Sequence, residues 1–316
     1  CVFPAIEDLN ALRQLGKYCA KTGTRYIFDE QAYRISSSKQ RTNRLLNEIG
    51  VSIPENFPQC GYPVICKPDA SSGSRGVVKV QNENELRKLI LEDKNTVIQQ
   101  YLEGPVYSLE VLGDGKNAMF PLITEVVIDR KYDCKRIIAP AEIGRQTAQE
   151  FTDIAKKINT HLKINGIFDI EAILHEGKLY VLEIDARFPS QTPISIFHSA
   201  GINFVRTLAE DLPDAAVVSA EMKERRVCIY QQIAVDGSRL EVLGEHIMAG
   251  AGILQIVSGF CGSDEMITDY IPGKHSWRAI VILTGKNMRE IEDKWKECLR
   301  EIAVLQKCEN MIYTEG

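Results

Sequence analysis

Residues 166–187 read GIFDIEAILHEGKLYVLEIDAR. Apolar and acidic residues alternate on both sides of a polar segment, which predicts two strands joined by a tight turn. The period of two places acidic side chains on one face of each strand: Asp169, Glu171, Glu183 and Asp185. A three-residue loop at residues 175–177 would set Asp169 opposite Glu183. The sequence therefore predicts a hairpin with four carboxylates on one face.

Such a face suggests a metal site. Clustered carboxylates repel one another, and a divalent cation among them relieves that repulsion. Their oxygens suit Mg2+ or Mn2+ that bridges substrate phosphates. Arg187 follows Asp185 by two residues and adds a planar cation that suits a phosphate or a carboxylate. The alternative interpretation is a solvated acidic face on an edge hairpin.

A Ser- and Gly-rich loop at residues 69–76 is the second segment that could form a functional site. The flanking runs Val64–Lys67 and Val77–Val80 predict strands, so the loop would join a hairpin. Backbone N–H groups in such a loop can surround a phosphate, and Lys67 would supply a fixed charge. Neither a GxxxxGK[ST] nor a GxGxxG motif is present. The loop is either a nucleotide clamp or a plain hairpin tip.

The N-terminal segment predicts a strand at Val2–Pro4, a helix at about Glu7–Thr22 and a strand at Tyr26–Phe28. One strand-helix-strand unit cannot cover both faces of a parallel sheet. We therefore expect either a doubly wound domain whose first strands lie outside this sequence or a short N-terminus.

Further elements follow along the chain. The sequence predicts a helix at Lys39–Ile49, strands at Val97–Leu102, Ser108–Leu112 and Leu122–Asp129, and a helix at Gln149–Leu162. From about Glu221, strands at Val227–Val235 and Ala279–Leu283 precede an amphipathic helix. The predicted domains are residues 1–35, 36–212 with a flexible lid at about 64–103, and 213–316.

Composition limits the possible functions. The 316 residues are 44% hydrophobic and 26% charged, which is typical of a globular protein and excludes disorder and a collagen-like structure. A net charge of -5 argues against nucleic acid or an anionic membrane as a partner. The nine cysteines form no CxxC pair. We expect reduced thiols and a cytoplasmic protein.

Several motifs occur in an order that resembles the ATP-grasp superfamily of carboxylate-amine ligases. They are Ser38-Lys39 at a helix start, Lys67-Pro68 before the loop, Gln99–Gly104, Glu171, and the run 183–187. The resemblance implies an α+β ATP-grasp fold, with a partial doubly wound N-terminal domain and a small C-terminal α+β domain. It also implies ATP and Mg2+, or Mn2+, as cofactors.

The resemblance assigns roles to individual residues. It implies ATP contacts from Lys39, Lys67, Ser72, Gly73, Ser74, Gln100 and Leu102, metal ligation by Glu171, Glu183 and Asp185, and catalytic roles for Lys67 and Arg187. Asp185 stands where the superfamily usually has Asn. Val106 stands where a ribose-binding Glu is common.

Within the superfamily, the run 183–193 (EIDARFPSQTP) and the run 107–111 (YSLEV) are similar to the ligases of pyrrolysine biosynthesis. This similarity implies that the carboxylate of 3-methyl-D-ornithine, or D-ornithine, is activated as an acyl phosphate and joined to the ε-amine of L-lysine. Candidate substrate contacts are Glu110 and Asp133 for ammonium groups, and Arg187, Ser190 and Gln191 for the carboxylate. Each of Glu110, Asp133, Ser190 and Gln191 could instead serve only strand pairing or a turn.

Other functions stay open on the sequence alone. The chain could ligate another amino-acid or peptide pair, or be a carboxylase-like member of the superfamily. It could also be a non-catalytic ATP-binding module. The expected partners are small amino-acid substrates, with a homodimer as a further option.

Overall fold

The computed structural model contains both helices and strands and describes residues 1–71, 73–90, 95–210, 226–307 and 312–315. The helices are α1 (Leu9–Thr22), α2 (Glu30–Ser36), α3 (Lys39–Glu48), α4 (Glu83–Ile90), α5 (Arg145–Leu162), α6 (Thr192–Ala200), α7 (Phe204–Ala209) and α8 (Met288–Leu305). The first strands are β1 (Val64–Pro68), β2 (Val78–Val80), β3 (Thr96–Gln100), β4 (Val106–Asp114), β5 (Ala118–Met119), β6 (Ile123–Ile128), β7 (Cys134–Ala139), β8 (Asn165–His175) and β9 (Lys178–Asp185). The later strands are β10 (Val227–Asp236), β11 (Arg239–Val242), β12 (Gln255–Ser258), β13 (Glu265–Thr268), β14 (Ser276–Gly285) and β15 (Ile312–Glu315).

These elements form two compact units. Unit 1 comprises Cys1–Ile123, Glu142–Pro193 and Ile202–Glu221, and unit 2 comprises Thr124–Ala141, Ile194–Gly201 and Met222–Gly316. The predicted domain boundary at residues 212–213 lies outside the described residues. The predicted division at residues 35–36 stays a prediction.

Polar caps begin the helices that lead into the candidate site of unit 1. Asp29 caps α2 and Ser38 caps α3, each by accepting a hydrogen bond from a backbone N–H of the first turn. The chain leaves α3 through Gly50, whose φ of 63° is left-handed. The predicted helix at Lys39–Ile49 is thus confirmed to within one residue.

The Ser- and Gly-rich loop joins two antiparallel strands. In the smaller sheet of unit 1, β1 lies between β2 and β3 and is antiparallel to both. Its side chains Val64 and Cys66 are buried in a small core with Val80 and Leu86. This confirms the predicted hairpin around the loop.

The hairpin β8–β9 turns more tightly than the sequence predicts. His175 pairs with Lys178, so the loop has two residues rather than three. Glu176 and Gly177 have φ of 49° and 79°, which is the geometry of a type I′ turn. The predicted pairing of Asp169 with Glu183 is therefore wrong.

A β-bulge nevertheless brings the four acids to one face. The register shifts between Ala172, which pairs with Val181, and Glu171, which pairs with Glu183. Leu182 is the extra residue, and beyond it Asp169 lies directly opposite Asp185. Before the bulge the buried positions of β9 are 179 and 181, whereas after it the buried positions are 184 and, just past the strand, 186. The bulge thus turns Glu183 and Asp185 away from the core.

Unit 2 contains the second α+β arrangement. Its strand β14 pairs with β10 and β13, β13 pairs with β12, and β10 also pairs with β7 and β11. The core centres on Trp277, and α8 adds Ile291, Cys298 and Ile302. The predicted strands and amphipathic helix of this region are confirmed, as is the α+β class of the chain.

The N-terminal strands are reduced to one bridge. The predicted strands at Val2–Pro4 and Tyr26–Phe28 form only a parallel bridge between Val2 and Tyr26, so that prediction is wrong as to extended strands. Pro4 has no N–H with which to continue a ladder, and the chain turns into α2 directly after Phe28.

Gly104 tests the packing at the start of β4. A Cβ on Gly104 would lie 2.0 Å from the carbonyl oxygen of Leu174, at the end of β8. We expect Gly104→Ala to lower the free energy of unfolding by about 2–3 kcal/mol, because backbone must move to relieve the clash. Urea denaturation measures the change.

The matched control is Gly61→Ala, since nothing lies within 4 Å of a Cβ built there. This variant should change stability by less than about 0.5 kcal/mol. Equal effects of the two substitutions would contradict the packing argument.

Candidate active site

Two rows of polar residues cross the three strands of the larger sheet in unit 1. Ser108 of β4 lies opposite Glu171, which lies opposite Glu183. In the next row, Glu110 lies opposite Asp169, which lies opposite Asp185. Directly opposed residues share a face of the sheet. The predicted acidic face therefore exists, and β4 extends it with Ser108 and Glu110.

Burial and mutual repulsion raise the pKa values of this face. The pKa of Asp169 is raised well above its ordinary value by burial and by Asp185, Glu171 and Glu110. Burial raises the pKa of Asp185 to about 7, although Arg187 opposes the shift. Burial also raises the pKa of Glu110 to about 7. These carboxylates are costly to ionise together and favour a cation in their midst.

Two lysines supply positive charge beside the acids. Lys39 Nζ lies 3.4 Å from Glu183 Oε1 and donates to the carbonyl of Ser71 at 2.7 Å. Burial and the neighbouring Lys39 lower the pKa of Lys67, whereas Glu183 and Glu171 raise it. The structure thus brings Lys39 and Lys67, predicted as phosphate contacts, next to the predicted metal ligands.

Asp69 anchors the Ser- and Gly-rich loop to the start of α3. Its carboxylate accepts hydrogen bonds from Ser38 Oγ at 2.9 and 3.0 Å and from Gln40 N at 2.8 Å. The backbone adds a bond from Lys39 N to the Asp69 carbonyl. The loop therefore starts at a fixed point beside Lys39.

The loop backbone then adopts left-handed conformations. Gly73, Ser74 and Gly76 have φ of 57°, 53° and 76°. Turn conformations of this kind can direct backbone N–H groups toward an anion. Ser72, a predicted ATP contact, lies outside the described residues.

Arg187 sits between two carboxylates. Its Nη2 lies 2.8 Å from Asp185 Oδ2 and 2.9 Å from Glu7 Oε1. The side chain is 19% exposed. Arg187 is thus held at the edge of the acidic face by a residue of the N-terminal segment.

Some of these groups line a cavity of about 290 Å3, whereas Lys67 and Arg187 are not among its lining residues. Its lining includes Glu7, Tyr33, Ser36, Lys39, Ser71, Arg75, Glu183 and Asp185. The sequence argument missed Glu7, Tyr33 and Arg75. For Arg75 the signal was its place in the loop, whereas Glu7 and Tyr33 reach the cavity only through tertiary structure.

The run Gln99–Gly104 comprises the last two residues of β3 and most of the segment that connects β3 to β4. Gln99 is buried and donates to the Pro54 carbonyl at 3.0 Å. Leu102 is buried as well. Lys79 Nζ stands 3.6 Å from the centre of the Tyr101 ring. The adenine contacts predicted at Gln100 and Leu102 stay predictions.

The predicted substrate residues lie in both units. Glu110 is fully buried on β4 and accepts from Ser108 Oγ at 3.2 Å. Ser190 is exposed and Gln191 is buried just before α6. Asp133 belongs to unit 2, where its Oδ2 accepts from His246 N and lies 2.5 Å from His246 Nδ1. Their substrate roles stay predictions.

The donor set of the acidic face fits Mg2+. Glu171, Glu183 and Asp185 offer oxygen ligands on one face, beside lysines suited to phosphate. The structure does not bring one ligand atom from each of Glu171, Glu183 and Asp185 within 4.8 Å of the others; among the described residues, only Asp129, Asp133 and His246 come that close together. Those aspartates already accept bonds from the backbone of Lys131, Asp133, Gly244 and His246.

Hydropathy adds one further observation. Within the described part of the chain, no helix combines the length and the apolar character that a bilayer crossing requires.

Comparisons with known proteins agree with this geometry. Residues 36–191 match the ATP-grasp domain family. The chain is 31% identical over 250 residues to a 3-methyl-D-ornithine--L-lysine ligase of Methanosarcina acetivorans, covering 78% of this chain. The match spans 66% of that relative, which is just under two thirds of its length.

Solved structures share the fold. An L-amino acid ligase from Bacillus licheniformis superposes with a TM-score of 0.66 at 16% identity, covering 94% of this chain and 84% of that one. The biotin carboxylase domain of Hydrogenobacter thermophilus 2-oxoglutarate carboxylase gives 0.71 at 17% identity, covering 93% and 71%.

Glu110 makes the stability of the protein depend on pH. Its pKa is about 7 in the folded chain against an ordinary value of 4.5, so its ionisation costs stability as pH rises through this window. We expect Glu110→Gln to raise the free energy of unfolding at pH 8 by up to about 3 kcal/mol and to have little effect at pH 5.

Urea denaturation at the two pH values tests this expectation. Glu150→Gln, at an exposed position of α5, is the control that makes the same chemical change. A difference between Glu110→Gln and the original protein that does not vary with pH would contradict the assignment.

Proposed function

Because the chain belongs to the ATP-grasp superfamily, we propose that it is an ATP-dependent ligase that joins a carboxylate to an amine. The observation that carries the proposal is the meeting of Lys39 and Lys67 with an acidic face under a Ser- and Gly-rich loop. This set offers charge for phosphates and oxygen ligands for a divalent ion in one place.

We propose 3-methyl-D-ornithine, or D-ornithine, as the acid and L-lysine as the amine. Support comes from the 31% identity to the 3-methyl-D-ornithine--L-lysine ligase of Methanosarcina acetivorans and from the run 183–193. The γ-phosphoryl group of ATP would pass to the substrate carboxylate with release of ADP. The ε-amine of lysine, having lost its proton, would then displace phosphate and form the amide.

The side chains act by position and charge in this scheme. Lys39 and Lys67 would hold ATP phosphates, and Arg187 would hold the carboxylate and balance the charge that develops on the phosphoryl oxygens. Gly73 and Ser74 would donate backbone N–H groups as the loop covers the phosphates and keeps water from the acyl phosphate. No protein nucleophile is required.

Glu171, Glu183 and Asp185 would hold the metal ion. We propose Mg2+, and Mn2+ suits the same oxygen ligands. When bound, the ion neutralises phosphate charge. Burial raises the pKa of Asp185 to about 7, and a bound cation would favour its ionised form.

The remaining assignments complete the proposal. Glu110, with no cation among the causes of its pKa shift, is suited to a substrate ammonium group. We propose the cytoplasm as the compartment, since ATP and reduced thiols occur there together. The homodimer stays a prediction, which sedimentation velocity of the full chain would check.

ADP release tests the reaction. With Mg2+ and ATP, we expect ADP and an amide product only when D-ornithine or 3-methyl-D-ornithine is present together with L-lysine. Glu183→Gln should lower the rate by about a hundredfold or more, because it removes a charged ligand from the metal site. Coupled ADP detection and mass spectrometry measure both.

Glu150→Gln serves as the control, because this exposed glutamate lies on α5 and should leave turnover unchanged. Turnover only with another acid and amine would keep the ligase class and reject this substrate pair. ATP binding with no turnover for any pair would favour a non-catalytic module.

A further inference from the structure

Several contacts of the N-terminal segment place Glu7 beside Arg187. Phe188 N donates to the Pro4 carbonyl, and the Phe3 and Phe188 rings pack with centroids 5.9 Å apart. Val2 is bridged to Tyr26 on the other side of the segment. Since Asp8 then caps α1, the chain before and after Glu7 is fixed. Contacts on both sides of Glu7 thus hold its backbone in place.

The contact joins opposite charges at the wall of the cavity. Glu7 Oε1 lies 2.9 Å from Arg187 Nη2, and the two side chains are 39% and 19% exposed. Glu7 and Asp185, the two carboxylates that contact Arg187, both line the cavity, as does Lys39. A small molecule in the cavity can therefore reach Glu7 directly beside the Arg187 guanidinium.

The other carboxylates of the cavity have different tasks in the proposed reaction. Glu183 and Asp185 are placed to hold the metal ion. Glu7 belongs to neither strand of the acidic hairpin, and its carboxylate contacts the guanidinium of Arg187. Glu7 can therefore bind an organic cation without the loss of a metal ligand.

We infer that Glu7 and Arg187 form a subsite for an α-amino acid, in which Arg187 binds the carboxylate and Glu7 binds the α-ammonium group. This inference rests on the proposed ligase function and goes further by naming the residue that selects an amino acid over a plain carboxylic acid. An adjacent cation and anion in the protein match the adjacent anion and cation of the α-amino acid.

Tyr33 supports the placement. Its buried side chain lines the same cavity. Burial and the carboxylates of Asp185 and Glu7 raise the pKa of its hydroxyl, whereas Arg187 lowers it. An aromatic wall beside the charge pair excludes water from one side of the subsite. Contacts with a bound ammonium are stronger where water is excluded.

The test compares two acids that differ only in the α-amino group. The full chain is assayed for ADP release with D-ornithine and with 5-aminopentanoate, in the presence of Mg2+, ATP and L-lysine. In Glu7→Gln, an uncharged side chain of nearly equal shape can still accept from Arg187. We expect kcat/KM for D-ornithine to fall about ten- to a hundredfold, with 5-aminopentanoate changed by less than about twofold.

Two variants serve as controls. Glu7→Asp, which keeps the charge, should recover part of the preference for D-ornithine. Glu150→Gln should behave as the original protein with both acids. The melting temperature of each variant shows whether it is folded.

Other outcomes overturn the inference. An equal loss with both acids would mean that Glu7 only orients Arg187, and no loss with either would mean that Glu7 contacts no substrate. Equal use of the two acids by the original protein would also reject the subsite.

Failure of the ligase proposal gives a different result. The original protein would then release no ADP with either acid. In that case, calorimetric titration of D-ornithine and 5-aminopentanoate in the presence of MgADP decides the inference. It survives only if D-ornithine binds more tightly and Glu7→Gln removes that difference.

Discussion

Repulsion among carboxylates on one sheet face is the constraint on which the candidate site depends. Asp169 faces Asp185 and Glu171 faces Glu183 across β8 and β9, so the ionised forms destabilise one another. Three cations from separate elements offset this repulsion: Lys39 at the start of α3, Lys67 near the end of β1 and Arg187 after β9. The acidic face therefore requires these positively charged side chains beside it.

The bulge at Leu182 makes this face compatible with a packed core. Without the extra residue, a strict period of two would place Glu183 and Asp185 on the same side as Leu179 and Val181, which are fully buried. Burying two more charges in an apolar core would cost several kcal/mol for each ion. The bulge instead gives β9 an apolar face along its whole length and a polar face where the site lies.

The sequence predicted what depends on local pattern. Alternation identified β8 and β9, and the cap at Ser38 identified the start of α3, because these signals act within a few residues. The turn at Glu176-Gly177 and the bulge were not predicted, since the three-residue loop led to the same shared face by a different register. Glu7 and Tyr33 were also missed, because no short-range pattern reveals that the N-terminal segment packs against Phe188.

The charges that line the cavity determine which ligands it favours. Its carboxylates exceed its lysines and arginines, so a phosphate group alone would meet repulsion from the acids. A nucleotide that arrives with a divalent ion would instead satisfy the acids and leave Lys39 and Lys67 for the phosphates. An amino acid brings its own cation, and Glu7 can compensate that charge without weakening the metal ligands. The excess of carboxylates destabilises the cavity when no ligand is bound. The same excess favours ligands that carry positive charge beside their anionic groups.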